Sequence, residues 1–163
     1  MIESAAYWLL SVLAVPTVGV PAVFFISFVS ATWLPMGSEP AVFAVIKSNP
    51  ALFWPTILVA TAGNTLGGIV DYWMGMGAKE LFSKDHESRS LGWMRRYGSK
   101  TLLLGWLPIV GDGICTLAGW LEFPFWPCVA YMAVGKFLRY VIITWLLLYV
   151  PDGFWHQIAR LMG

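Results

Sequence analysis

Charge is what this sequence has least of. Only 12% of its 163 residues are Asp, Glu, Lys or Arg, against roughly a quarter in an ordinary soluble domain. With 58% apolar residues, 16% aromatic ones and a mean hydropathy of +0.70, the composition excludes a water-soluble globular domain and reads as an integral membrane protein. The opening Met1-Ile2-Glu3-Ser4 has no lysine or arginine ahead of its apolar run. It lacks the basic start of a secretory signal and is expected to be retained as structure. Net charge is +1 and no stretch is basic without matching acids, which argues against nucleic acid as a partner. Histidine and cysteine number two each. His86 falls in a solvated segment and His156 near the end, while Cys115 and Cys128 sit in apolar surroundings without a CxxC. They read as small buried hydrophobes, and no disulfide, metal or cofactor is expected.

What the chain does have is an internal duplication. Trp33-Leu34-Pro35-Met36-Gly37-Ser38-Glu39, moved by 73 positions, lands on Trp106-Leu107-Pro108 and then on Asp112. At an offset of 72, Phe53-Trp54-Pro55 falls on Phe125-Trp126-Pro127, Gly63 on Gly135, Leu66 on Leu138 and Trp73 on Trp145. Two triplets and a glycine in one register mark a repeat, with a carboxylate at the centre of each copy.

Taken in order, residues 5–20 are an apolar run bounded or kinked by Pro16 and Pro21. Residues 22–34 are apolar again, but 13 residues cover only about 20 Å of a bilayer core near 30 Å thick. Residues 40–46 are shorter still. A re-entrant hairpin fits both arms, with the turn facing the protein interior because unpaired backbone is not tolerated in lipid. The competing reading is one bent helix over 5–34 with the acidic turn at the surface. Residues 53–76 are long enough to span and carry Asn64, Asp71, the small-residue pair Gly63 and Gly67, and Gly68, a face that permits a homo-oligomer without requiring one. Residues 77–100 hold most of the charge and read as a cytoplasmic amphipathic connector. Residues 101–107 and 114–121 are the arms of a second hairpin around Pro108 and Gly111, and 123–150 can span. A short tail, 151–163, follows. The expected fold is therefore all-α: one membrane domain over 1–163 with an N-terminal helix, repeat 1 at about 22–76 and repeat 2 at about 101–150. Each repeat is a hairpin plus one crossing, so the second enters from the opposite face and the repeats are inverted. This places the N-terminus in the cytoplasm and the C-terminus outside.

Glu39, Asp71, Asp112, Lys136 and Arg139 fall inside apolar segments, where each costs about 2.5–3.5 kcal/mol unless paired or hydrated. Lys136 and Arg139 are three apart and share a helix face, whereas Asp71 is one turn beyond Gly67 with no charge at helical spacing. Two readings stay open. The carboxylates bind and release protons while the cations hold an anionic headgroup, or Glu39 and Asp112 pair with Arg139 and Lys136 to hold the bundle closed. The turn residues Pro35, Gly37, Ser38, Pro108 and Gly111 complete the candidate site.

These same segments, together with Gly63-Asn64-Thr65-Leu66-Gly67-Gly68 and Tyr72, Arg96-Tyr97-Gly98, Ala118-Gly119-Trp120, Gly135-Lys136 and Arg139-Tyr140, resemble the DedA (VTT-domain) membrane proteins, in their YqaA-like branch. The resemblance spans about residues 24–145. It implies facing re-entrant hairpins in a multi-pass protein of the bacterial cytoplasmic membrane. It also implies translocation of phospholipid or a polyprenyl-phosphate carrier, proton dependence and a role in envelope homeostasis. The wider family's first turn resembles P-x-P-G-E where this chain has Pro35-Met36-Gly37-Ser38-Glu39. Arginines expected after the second-turn proline and after the first spanning helix are replaced by Gly111-Asp112 and Gly75-Met76-Gly77, leaving Lys136 and Arg139 to supply positive charge.

The expected function is thus a non-enzymatic transporter of anionic lipid, with membrane lipids and protons as partners. An intramembrane lipid-phosphate hydrolase is the alternative from another class; no Ser or Cys has a base at readable spacing, which disfavours it. A non-transporting assembly factor and a small-solute transporter also remain.

Overall fold

The computed structural model describes residues 16–32, 38–82, 92–107 and 110–149. Among them every regular element is helical: α1 Pro16–Thr32, α2 Glu39–Ser48, a single 3-10 turn Pro50–Leu52, α3 Phe53–Phe82, α4 Gly92–Tyr97, a 3-10 segment Gly98–Trp106, α5 Val110–Trp120 and α6 Phe125–Tyr149.

The stretch Pro50–Lys79, most of it α3, and α6 are the two helices among the described residues long and apolar enough to cross a membrane. At about 1.5 Å per residue α1, α2 and α5 are near 25, 15 and 16 Å, short of the ~30 Å apolar core. Each long helix exposes two tryptophans, Trp54 and Trp73 on α3 and Trp126 and Trp145 on α6, all more than half accessible. Within each helix the pair is about 28 Å apart along the axis, the spacing that puts an indole at each bilayer interface. Phe25, Leu58, Met74 and Leu138 are also exposed. An apolar surface of this kind suits lipid rather than water. Trp54 stacks on Phe137 at 6.5 Å and Trp73 on Phe125 at 6.2 Å, so α3 and α6 run in opposite directions.

Glycines set the crossings. A Cβ at Gly63 would strike the Phe24 backbone, and one at Gly67 would meet Ala31 and the Phe28 carbonyl; the small-residue face of α3 is therefore used within the chain, against α1. Gly75 lies on the Thr116 backbone and Gly119 on the Tyr72 carbonyl, which seats α3 against α5. Gly135, the counterpart of Gly63, lies 2.9 Å (as a built Cβ) from the Leu103 carbonyl and seats α6 on the 3-10 segment. Two apolar cores result. Val23, Val42, Val45, Ile57 and Tyr140 form one around α1 and α2, and Tyr72, Leu102, Ile114, Cys115, Cys128 and Met132 form the other around α5.

Three boundaries differ from the sequence reading. Pro21 lies inside α1 and does not end it; Pro16 opens that helix, where a missing N–H costs nothing. The spanning helix α3 runs six residues past position 76, to Phe82, before the connector begins. The arm expected at 101–107 is the end of a 3-10 segment that starts at Gly98, whose φ is +57°. Its greater rise of about 2.0 Å per residue lets nine residues reach some 18 Å. A turn at Glu122, φ +55°, joins α5 to α6: Phe123 N–H donates to the Ala118 carbonyl at 3.1 Å and Glu122 N–H to the Gly119 carbonyl at 3.0 Å, a Schellman ending with glutamate at the left-handed position.

Candidate functional site

Both repeat-centre carboxylates open a helix. Glu39 is the first residue of α2 and Asp112 lies in the first turn of α5, where free backbone N–H groups and the helix dipole favour an anion. Ser38 stands at the N-cap of α2 but makes no capping bond with its side chain. Its Oγ is 2.5 Å from the Tyr140 hydroxyl instead.

One face of α6 gathers these groups. Lys136, Arg139 and Tyr140 are all at most 4% exposed and fall within a single turn and a fraction. Arg139 Nε donates to Glu39 Oε1 at 2.6 Å, and Nη2 donates to the same oxygen. Lys136 Nζ donates to Asp112 Oδ1 at 3.1 Å and to the main-chain carbonyl of Asn64 at 2.6 Å. The Tyr140 hydroxyl accepts from Asn64 Nδ2 at 3.0 Å. A polar chain thus runs through the apolar interior, from Glu39 and Ser38 on α2, across α6, to Asn64 on α3 and Asp112 on α5. Gly68 makes room for it: a built Cβ there lies 2.9 Å from Lys136 Nζ and 2.7 Å from Met132 Sδ.

Of the residues expected from sequence, Glu39, Ser38, Asn64, Asp112, Lys136 and Arg139 are brought together. Gly111 is buried at the start of α5, its N–H donating to the Leu107 carbonyl at 3.1 Å. Asp71 is buried on α3, but not idle beside Gly67 as the spacing suggested: the crossing of α3 over α5 and α6 brings it within electrostatic reach of Asp112 and Lys136. Pro35, Gly37 and Pro108 lie outside the described residues, as do His86, His156, the terminal runs 1–15 and 150–163, and much of the connector. Cys115 and Cys128 are free and buried, with Cys115 Sγ donating to the Gly111 carbonyl. Among the described residues no group of His, Cys, Asp and Glu has the makings of a metal site.

Sequence reasoning missed Tyr140 as the hub. A tyrosine four residues after Lys136 and one after Arg139, in an apolar helix, was the available signal, since a buried phenol seeks a partner for its hydroxyl. It also missed the Asn64 carbonyl, which no side-chain pattern announces.

Beside Glu39 a groove of about 480 Å³ runs along α2 to Lys47 and Ser48, lined by Phe43, Ala44 and Leu147. Its walls are apolar and its two ends carry opposite charges.

Compared with known proteins, residues 38–148, more than half the chain, match the VTT domain. The chain is 39% identical over 123 residues to the inner membrane protein YqaA of Escherichia coli K12, covering 76% of this chain and 87% of that one, and equally so to YqaA of Shigella flexneri. A protein of Haemophilus influenzae is 38% identical over 133 residues, covering 76% of this chain and 83% of its own length. No solved structure matches significantly. On its domain match and this identity over most of its length, the chain belongs to the VTT-domain, or DedA, family of membrane proteins.

Proposed function

We propose that this protein carries an anionic lipid, a phospholipid or a polyprenyl-phosphate carrier, across the bacterial cytoplasmic membrane, with protons as the coupling ion. α1 with α2, and the 3-10 segment with α5, are in this reading two re-entrant hairpins of inverted repeats. The opposed directions of α3 and α6 and the equivalent seats of Gly63 and Gly135 support that arrangement. The observation that carries the proposal is the double clasp on α6, in which Arg139 and Lys136 each hold the carboxylate of one hairpin. A guanidinium and an ammonium that give up their carboxylates become a site for a phosphate headgroup. Low dielectric favours the neutral form of a carboxylate in general, so protonation is a chemically simple way to release them. The apolar groove that begins at Glu39 supplies a lane for an acyl or prenyl chain. The identity with YqaA, named an inner membrane protein, supports the location.

The same ion pairs favour a second reading, a non-transporting protein whose charges lock the bundle. Reconstitution of the full chain into vesicles with fluorescent phosphatidylglycerol or a polyprenyl phosphate separates them. Movement between leaflets above that of protein-free vesicles supports transport. Release of phosphate from either lipid supports a hydrolase, and neither change supports the structural reading.

A further inference from the structure

Three carboxylates share the described interior with two cations. Arg139 is committed to Glu39, and Lys136 to Asp112 and the Asn64 carbonyl. Asp71 is left over. It is 6% exposed, and its Oδ2 has no hydrogen-bond partner among the described residues. Facing it are Asp112 and Cys115 from α5 and Lys136 from α6. α1, on the opposite side of α3, brings no titratable group, while α2 brings Glu39, which Arg139 holds, and Lys47 at its far end. A second buried oxygen is also unpartnered. Asn64 Oδ1, on a residue 2% exposed, sits on the same face of α3 as Asp71, with Gly68 between them. Positions 64, 68 and 71 are four and three apart, so they form one stripe.

An uncompensated carboxylate in a low-dielectric interior is expensive, and nature neutralises or pairs it. We propose that Asp71, acting with Asp112 beside Lys136, is a binding site for one exchangeable monovalent cation, either a proton or an alkali ion. One added positive charge brings the cluster of Asp71, Asp112 and Lys136 to neutrality, and unpartnered oxygens are there to receive it. Losing it leaves two carboxylates competing for one ammonium, which loosens the hold of Lys136 on the first turn of α5. The site follows from the charge balance and does not depend on whether the protein moves lipid.

The test is infrared spectroscopy of the purified full chain in lipid nanodiscs, titrated from mildly acidic to alkaline pH in sodium, potassium or choline chloride. A protonated-carboxyl band at neutral pH that disappears in Asp71→Asn identifies the ligand as a proton. Absence of that band in sodium or potassium, with its appearance in choline, identifies an alkali ion. Asp112→Asn serves as the second variant, because Lys136 then balances Asp71 unaided; the band is lost there too, whether or not Asp71→Asn folds. If wild type shows the same fully ionised carboxylates in every salt across the whole pH range, the proposal is overturned. A band that survives in both variants overturns it as well.

Discussion

Lys136 Nζ donates to the main-chain carbonyl of Asn64 at 2.6 Å, and the two residues occupy the same place in the two sequence copies, 72 positions apart. The contact joins the spanning helices at their matching points. It also fixes the ammonium so that it reaches Asp112 on the second hairpin. Losing it strips a buried carbonyl and a buried carboxylate of their shared donor. Lys136→Met is therefore expected to destabilise the protein by about 3 kcal/mol, the range for breaking a buried pair from one side. Combining it with Asp112→Asn should cost less than the sum of the two single changes. Thermal unfolding in detergent, read as a double-mutant cycle, measures the difference.

Tyr140→Phe removes one oxygen and leaves both Ser38 Oγ and Asn64 Nδ2 without their partner. A loss of about 1–3 kcal/mol is expected for such buried groups. It should fall on α2 in particular, because Ser38 stands at that helix's first turn. Hydrogen exchange over residues 39–48 should rise in the variant while exchange within α6 stays near wild type.

The glycine contacts rank three substitutions. Gly75→Ala drives a methyl into the Thr116 backbone, which cannot move aside, and is expected to exceed the roughly 1–3 kcal/mol of ordinary overpacking. Gly68→Ala meets only the ends of the flexible Met132 and Lys136 side chains and should cost less, while shifting Lys136 from Asp112. Gly113→Ala meets nothing within 4 Å and should be silent. Yields of folded protein and melting temperatures read the order directly.

Cys115 and Cys128 have no accessible surface. In the folded protein both thiols should resist a soluble maleimide and become reactive only on unfolding, which gives a labelling assay for the global transition free of lipid background.

Sequence carried the coarse plan well. The two long helices, the short arms between them and the five ionisable residues all stand out, because an apolar run and a charge inside it are one-dimensional signals. The duplication also pointed to Glu39 and Asp112 as equivalent positions. What it left open was which charge meets which, since Arg139 and Glu39 are a hundred positions apart and only helix packing joins them. The role of Asp71 depends on a glycine-mediated crossing of α3 and α5, and helical spacing along α3 alone was silent about it. Pro21 misled because its conflict with helix geometry is local, whereas α1 is held by its packing on Gly63 and Gly67.

The central claim is that the two clasped carboxylates form the moving part of a lipid transporter. Its most direct test is lipid translocation in proteoliposomes by wild type, Glu39→Gln, Asp112→Asn and Arg139→Ala, each checked for native helical content. The account predicts movement by wild type that falls at least tenfold in all three variants while they remain folded. Equal movement by folded variants and wild type, or none by any of them, would contradict it.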